Sequence, residues 1–340
     1  MFSQLLFWRL RCLQQPSLLT PFLAAPLPAA AKSADTFAVV GGYFVKNKSR
    51  RTWRGADTMF TFGGSSDDMS SWGMDIAREV ITNMRDNPIT GEGGLPVNGQ
   101  WLHPLQKIVS DNRANGLVTI LCPFGWDGTD ATKFLGRNPS QTPWWQDYKV
   151  RYREIARQFK NQPDVWLEVW NEPFWWDRSR GYSDELWLMD MRAMVDNIRS
   201  TGAQNIVLVP GAEMGQDERV ILKYGPALLR GCSTVGFDVH AYEKWLGENQ
   251  ASVVTRVQRV QNRGCAMLFG EIAPRNGEGS LMNPAAFLEA ARCTGSTVCA
   301  WLWKHDATDV TALLNEDGTP NTNKNNNWGL LYKAFTIEPH

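Results

Sequence analysis

The 340-residue sequence has no excess of charge, with 35 Lys and Arg against 35 Asp and Glu. A surface without net positive charge argues against nucleic acid or an anionic membrane as the main partner. Histidine is scarce, four residues without ligand spacing, and the cysteines form no Cys-x-x-Cys pair, so a zinc-site pattern is missing. No metal or organic cofactor is expected. A Gly-rich phosphate loop is lacking too, since Phe62-Gly63-Gly64-Ser65 does not have its spacing. After the first segment no apolar run is long enough to cross a bilayer, which predicts a soluble body.

What is abundant is tryptophan, 16 residues against 7 Tyr. Such residues fill a large core or present flat faces on which sugar rings stack, and composition leaves both open. The N-terminal stretch Met1–Lys32 has Arg9 and Arg11, no acidic residue, and a Leu/Pro/Ala run ending in Pro28-Ala29-Ala30-Ala31. Small residues there suit a signal peptidase, and Pro16, Pro21, Pro26 and Pro28 oppose a spanning helix. An export leader over residues 1–32 is therefore expected, with a secreted or periplasmic product. Cys12 would leave with it. Of the remaining Cys122, Cys232, Cys265, Cys293 and Cys299, Cys232 with Cys265 is a disulfide candidate; all five as buried small hydrophobes is the alternative.

Thr36–Val45 and Thr52–Asp57 read as a hairpin about Lys46-Asn47-Lys48-Ser49. Strand-like apolar runs follow at Met59–Phe62, Ile81–Met84, Leu117–Pro123, Val165–Trp170, Ile206–Pro210, Val235–His240, Ala266–Gly270 and Thr297–Trp303. Between them lie helix-like stretches such as Asp147–Lys160, Asp184–Thr201, Glu218–Leu229, Ser252–Arg263 and Pro284–Cys293, several closed by Gly. Alternating strands and helices imply parallel, right-handed βαβ units. Eight of them over about 280 residues match a (β/α)8 barrel. A single domain over residues 33–340 is expected. The Asn-rich stretch Asn315–Asn327 then falls on the last βα loop, as a solvated rim segment.

In such a barrel the reactive groups sit at the C-terminal ends of the strands. The fourth strand ends Trp170-Asn171-Glu172-Pro173, the sixth His240-Ala241-Tyr242, the seventh Gly270-Glu271 and the eighth Trp301-Leu302-Trp303. Glu172 and Glu271 thus face each other across one mouth. Arg85, His240 and Tyr242 are placed to point into it, with Trp303 as its floor. Two carboxyl groups flanking a cleft are what glycosidic cleavage needs: one protonates the leaving oxygen, the other attacks or activates water.

Trp170-Asn171-Glu172-Pro173 and Gly270-Glu271 resemble the signature of glycoside hydrolase family 5, in the clan A retaining (β/α)8 glycosidases, over essentially the whole chain from about Phe37. The resemblance implies Glu172 as general acid/base, Glu271 as nucleophile, and Asn171 as partner of the sugar 2-hydroxyl. It further implies Arg85 beside the nucleophile, His240 and Tyr242 lining the −1 subsite, and Trp303 stacked under that sugar. At the third strand the sequence departs from the pattern: members usually carry a histidine there, and this chain reads Cys122-Pro123-Phe124-Gly125-Trp126-Asp127. A hydrogen bonder is thus lost there, or replaced by Trp126 or Asp127. Trp175 and Trp176, directly after the acid/base, are candidate platforms for neighbouring sugars. Glu213 is open to either a sugar-binding or a structural role.

The expected protein is a monomeric retaining endo-β-glycosidase acting on β-1,4-linked glucan, with β-mannan the nearest rival and exo action a further alternative. A non-catalytic carbohydrate-binding barrel is the reading from another class, disfavoured by the presence of both carboxyl groups.

Overall fold

A computed structural model describes residues 35–60, 64–97, 99–232, 234–305, 310–322 and 327–338. The expected leader and Cys12 lie outside them. The chain opens with a three-stranded antiparallel sheet, β1 (Phe37–Val40), β2 (Tyr43–Lys46) and β3 (Ser49–Arg50). This corrects the expected hairpin. Thr52–Asp57 is not its second arm but leads into the first barrel strand, β4 (Arg54–Thr58).

Seven further parallel strands complete the barrel: β5 (Ile76–Ile81), β8 (Val118–Pro123), β9 (Val165–Glu168), β10 (Val207–Pro210), β11 (Val235–Ala241), β12 (Met267–Ile272) and β13 (Val298–Ala300), which pairs back onto β4. The (β/α)8 expectation holds, with two strands displaced. The first and second barrel strands precede the apolar runs read for them, Met59–Phe62 and Ile81–Met84. A short hairpin, β6 (Leu95–Val97) with β7 (Gln100–Leu102), is inserted after β5.

Helices α1 (Ser66–Ser71), α2 (Leu105–Ala114), α3 (Trp145–Phe159), α4 (Asp184–Arg199), α5 (Glu218–Leu229), α6 (Gln250–Gln261), α7 (Pro284–Thr294) and α8 (Trp328–Ile337) pack around the strands. In α3 the buried residues Tyr148, Tyr152, Ile155 and Phe159 recur every three or four positions, the stripe that seats a helix on a sheet. Side-chain oxygens of Ser183 and Asn249 cap α4 and α6.

Two apolar layers form. The larger lies between barrel and helices and contains Trp187. The smaller closes the lower barrel, where Phe44 of β2 stacks on Trp166 at 5.1 Å and Trp53 meets Trp166 edge-on at 5.0 Å. The N-terminal sheet therefore plugs the base of the barrel and leaves the upper mouth for polar groups. Cys122, Cys232, Cys265, Cys293 and Cys299 are all free thiols, so the proposed Cys232–Cys265 bridge is not formed.

Candidate active site

The upper barrel is filled by charge rather than by apolar side chains. Asp57 (β4), Arg78 (β5), Glu168 (β9), Asp238 and His240 (β11) are each fully buried, and Glu271 (β12) is 4 % exposed. Arg78 organises them. Its Nε and Nη2 donate to the two carboxylate oxygens of Glu168 at 2.8 and 2.9 Å. Nη1 donates to Asp57 at 2.5 Å and to Glu271 Oε1 at 2.9 Å. Nη2 also reaches Asn171 Oδ1 at 2.8 Å. A planar guanidinium with five donors suits this branching, which a lysine ammonium would not reproduce.

Glu172 and Glu271 meet across the mouth. One oxygen of each, with a ring nitrogen of His240, lie within 4.8 Å of one another. His240 Nδ1 is 2.9 Å from Glu172 Oε1 and 3.4 Å from Glu271 Oε1. Tyr242 donates its hydroxyl to Glu271 Oε2 at 2.9 Å. The backbone is shaped to hold this arrangement. Glu172 sits at φ +51°, a left-handed conformation that costs a non-glycine residue roughly 1–2 kcal/mol. Its carbonyl accepts from the Gly136 amide at 2.7 Å. At Gly270 a Cβ would lie 2.1 Å from the Asp238 carboxylate, and the Gly270 amide instead donates to Asp238 Oδ1 at 2.6 Å. No other residue leaves Asp238 that space.

Burial and the negative charge of Glu271 raise the pKa of Glu172, against the opposing pull of His240 and Arg78. Burial also disfavours a charged His240, but Glu271 and Asp238 outweigh it and hold the ring well above its ordinary pKa. Burial pushes Glu168 up to about 7 and Asp57 well above its usual range, despite Arg78. Glu172 is thus shifted toward its protonated form, while Glu271 accepts hydrogen bonds from Arg78 and Tyr242. A raised pKa on Glu172 suits the acid of an acid/nucleophile pair.

Four sequence expectations change. Arg85 is not beside Glu271: it is half-exposed and pairs with Asp86 at 2.9 Å and Asp127 at 3.5 Å, and Arg78 takes its place. Trp303 is 1 % exposed and meets Trp72 edge-on at 4.9 Å, so it is packing beneath the rim. Trp301, partly exposed and stacked on Phe124 at 6.0 Å, is the tryptophan of that strand end that retains an accessible surface. Trp126 is buried and stacked on Trp144 at 5.7 Å, within a core cluster that also takes Trp145 and Trp170. At the third strand neither Trp126 nor Asp127 replaces a histidine. Cys122 lies there, its Sγ 3.6 Å from Asn171 Oδ1.

Asn171, His240 and Tyr242 are brought to the carboxyl pair as expected. With Asn171 Oδ1 taken by Arg78 and Cys122, Nδ2 is buried and has no partner among the described residues. Trp175 is partly exposed and Trp176 half-exposed. Both line a 590 Å3 cleft with Met214, Gln216, Lys244 and Asn276. Their loop is tied down by Arg178, which pairs with Glu213, Asp217 and Asp184. Glu213 is 1 % exposed and also bridges Arg219 and Lys244, so its role is structural. Trp245 is buried against Phe269.

A closed parallel barrel with an opposed carboxyl pair at its upper mouth is an architecture built for acid-assisted displacement at a bound sugar. Residues 46–307 match the family model described as Cellulase (glycosyl hydrolase family 5), and the chain belongs to that family. It is 24 % identical over 249 residues to a mannan endo-1,4-beta-mannosidase of Cellvibrio japonicus (strain Ueda107), a match covering 72 % of this chain and 52 % of that protein. The chain therefore spans about half the length of the curated relative it matches. In fold it is similar to the catalytic domain of a mannanase from Streptomyces sp. SirexAA-E, at TM-score 0.66 and 18 % identity, over 90 % of this chain and 92 % of that one. It is also similar to the catalytic domain of an endoglucanase from Thermobifida fusca, at TM-score 0.62 and 13 % identity, over 88 % and 97 %.

Proposed function

We propose that the chain is a retaining β-glycosidase that cleaves within a β-1,4-linked polysaccharide, with β-mannan as first substrate class. The observation that carries this reading is the approach of Glu172 to Glu271. Oxygens within 4.8 Å leave no room for a water between nucleophile and sugar, and a spacing of about 5–5.5 Å goes with retention. Mannan is placed ahead of the glucan expected from sequence because the curated relative is named for mannan cleavage. Glucan is the second reading, since the matching family model is described as that of cellulases.

In the proposed mechanism Glu271 attacks the anomeric carbon and the glycosidic C–O bond breaks. Glu172 gives its proton to the departing oxygen. Glu172, now ionised, takes a proton from water, whose oxygen displaces Glu271 from the sugar and restores both groups. Arg78 and Tyr242 orient Glu271, and the free Nδ2 of Asn171 is the donor for the sugar 2-hydroxyl. Trp175 and Trp176, close in sequence to the proton donor, supply stacking faces for the leaving side of the chain. The barrier is lowered by positioning and by preorganised charge. Export through residues 1–32 and action as a monomer belong to the same proposal.

The test is product analysis on galactomannan, glucomannan, carboxymethylcellulose, xyloglucan and aryl glycosides side by side, with NMR of the first-formed anomer. Internal cleavage of mannans with retained configuration is expected. Inversion, or binding without hydrolysis on every substrate, would overturn the reading.

A further inference from the structure

At the opposite end of the barrel from Glu172 and Glu271, four arginines are among the residues lining one 460 Å3 cavity. They are Arg50, Arg51, Arg54 and Arg292, and Thr52, Phe335 and Glu338 complete the walls. Topology brings them together: Arg50 ends β3, Arg54 starts β4, Arg292 is in the last turn of α7, and Phe335 and Glu338 close α8.

Their charges are unevenly matched. Arg51 pairs with Asp75 at 2.5 Å, and Arg292 pairs with Glu289 and Glu338. Among the described residues the Arg54 guanidinium has no direct ion pair, and the charges of Asp75 and Glu338 act on it from a distance. Arg54 is 5 % exposed, and its Nη1 donates only to the carbonyl oxygens of Phe335 and Glu338, at 2.7 and 2.8 Å. Its Nε and that of Arg292 are buried without a hydrogen-bond partner among the described residues. Arg54 and Arg292 lie 4.6 and 5.2 Å from the centre of the same Phe335 ring, so like charges gather on one aromatic side chain. Burial and the neighbouring Arg292 hold Arg54 below its ordinary pKa.

A buried guanidinium with no carboxylate in direct contact and an unpaired N–H is costly, and forked donors match phosphate-type oxygens. We propose that this cavity binds a doubly charged oxyanion of the phosphate class, held by Arg50, Arg54 and Arg292 and independent of the glycosidic chemistry above. The volume exceeds that of a phosphate group alone and leaves room for an organic remainder. Because its walls come from the first barrel strand and the last two helices, a bound dianion ties the two ends of the barrel together.

The probe is inorganic phosphate at low millimolar concentration, titrated into the whole protein against sodium chloride at fixed ionic strength, with melting temperature and calorimetric heat as readouts. A saturable rise in melting temperature is expected, as for any ligand that binds only the folded state. In R50Q/R292Q the apparent affinity should weaken at least about tenfold, the loss for removing two charge-assisted contacts. R259Q, an exposed arginine on α6, should bind like the parent. E338Q removes the competing carboxylate from the wall and should bind more tightly, which keeps the test decisive if R50Q/R292Q folds poorly. No phosphate response in the parent protein would overturn the proposal, as would equal responses in parent, R50Q/R292Q and E338Q.

Discussion

Arg78 and Glu271 are joined at 2.9 Å, Nη1 to Oε1, deep in the barrel and 193 residues apart in sequence. The same guanidinium holds Asp57, Glu168 and Asn171, so it fixes the nucleophile candidate and offsets the repulsion of the surrounding carboxylates together. R78K should lose activity by more than about a hundredfold, since a point charge cannot reproduce the fork. R78A should also lose about 3–5 kcal/mol of stability, the cost of stranding a buried ion-pair partner. R85A should retain near-parent kcat and melting temperature. Steady-state kinetics and urea unfolding of the three variants check this, and a collapse confined to R85A would refute it.

Arg78 was hidden from sequence reading for a physical reason. In Ile76-Ala77-Arg78-Glu79-Val80-Ile81 two adjacent charges interrupt a strand that is buried throughout, and periodicity treats them as surface. Reading the strand as Ile81–Met84 moved its end onto Arg85. Mainly apolar strands such as β8 and β10 were legible to within a residue or two, as were β9, β11 and β12, and with these His240, Tyr242 and both glutamates. The choice between Trp301 and Trp303 was not. The chain leaves the strand pattern after Ala300, and alternation no longer says which side chain faces the mouth. Nor does the number of tryptophans reveal function, because Trp126, Trp144, Trp145 and Trp170 build core.

That difference gives a second prediction. W301A should raise KM or lower kcat with little change in melting temperature. W303A should leave kcat within a few-fold where it folds and destabilise the protein by about 3–5 kcal/mol. Parallel kinetics and unfolding of the two variants distinguish them, and the reverse pattern would return the stacking role to Trp303.

Glu79, on the helix-facing side of β5, is 4 % exposed and held up to about 7 by burial, with the Asn112 amide at 3.0 Å as a side-chain donor. Its folded pKa lies above the unfolded value of 4.5, so the native state binds more protons between the two. Stability should therefore fall as pH rises from about 4.5 to about 7, by on the order of 3 kcal/mol from this group. E79Q should flatten that part of the profile and be more stable than the parent at pH 8. Urea unfolding from pH 4 to 8 measures it; superimposable profiles would exclude the effect.

Burial and the like charge of Glu271 raise the pKa of Glu172. In E271Q the pKa of Glu172 should therefore fall, toward the ordinary carboxyl range. Carbon-detected NMR titration of labelled glutamate in E271Q, against the parent, reports the shift. A rise would mean that the two groups do not sense each other.

The most direct test of the account is to trap the glycosyl-enzyme. A 2-deoxy-2-fluoro glycoside with a good leaving group should inactivate the protein stoichiometrically, and peptide mass spectrometry should place the adduct on Glu271. Label on another residue, or turnover without a covalent adduct and with inverted product, would contradict the assignment of Glu271 as nucleophile and Glu172 as its proton-donating partner.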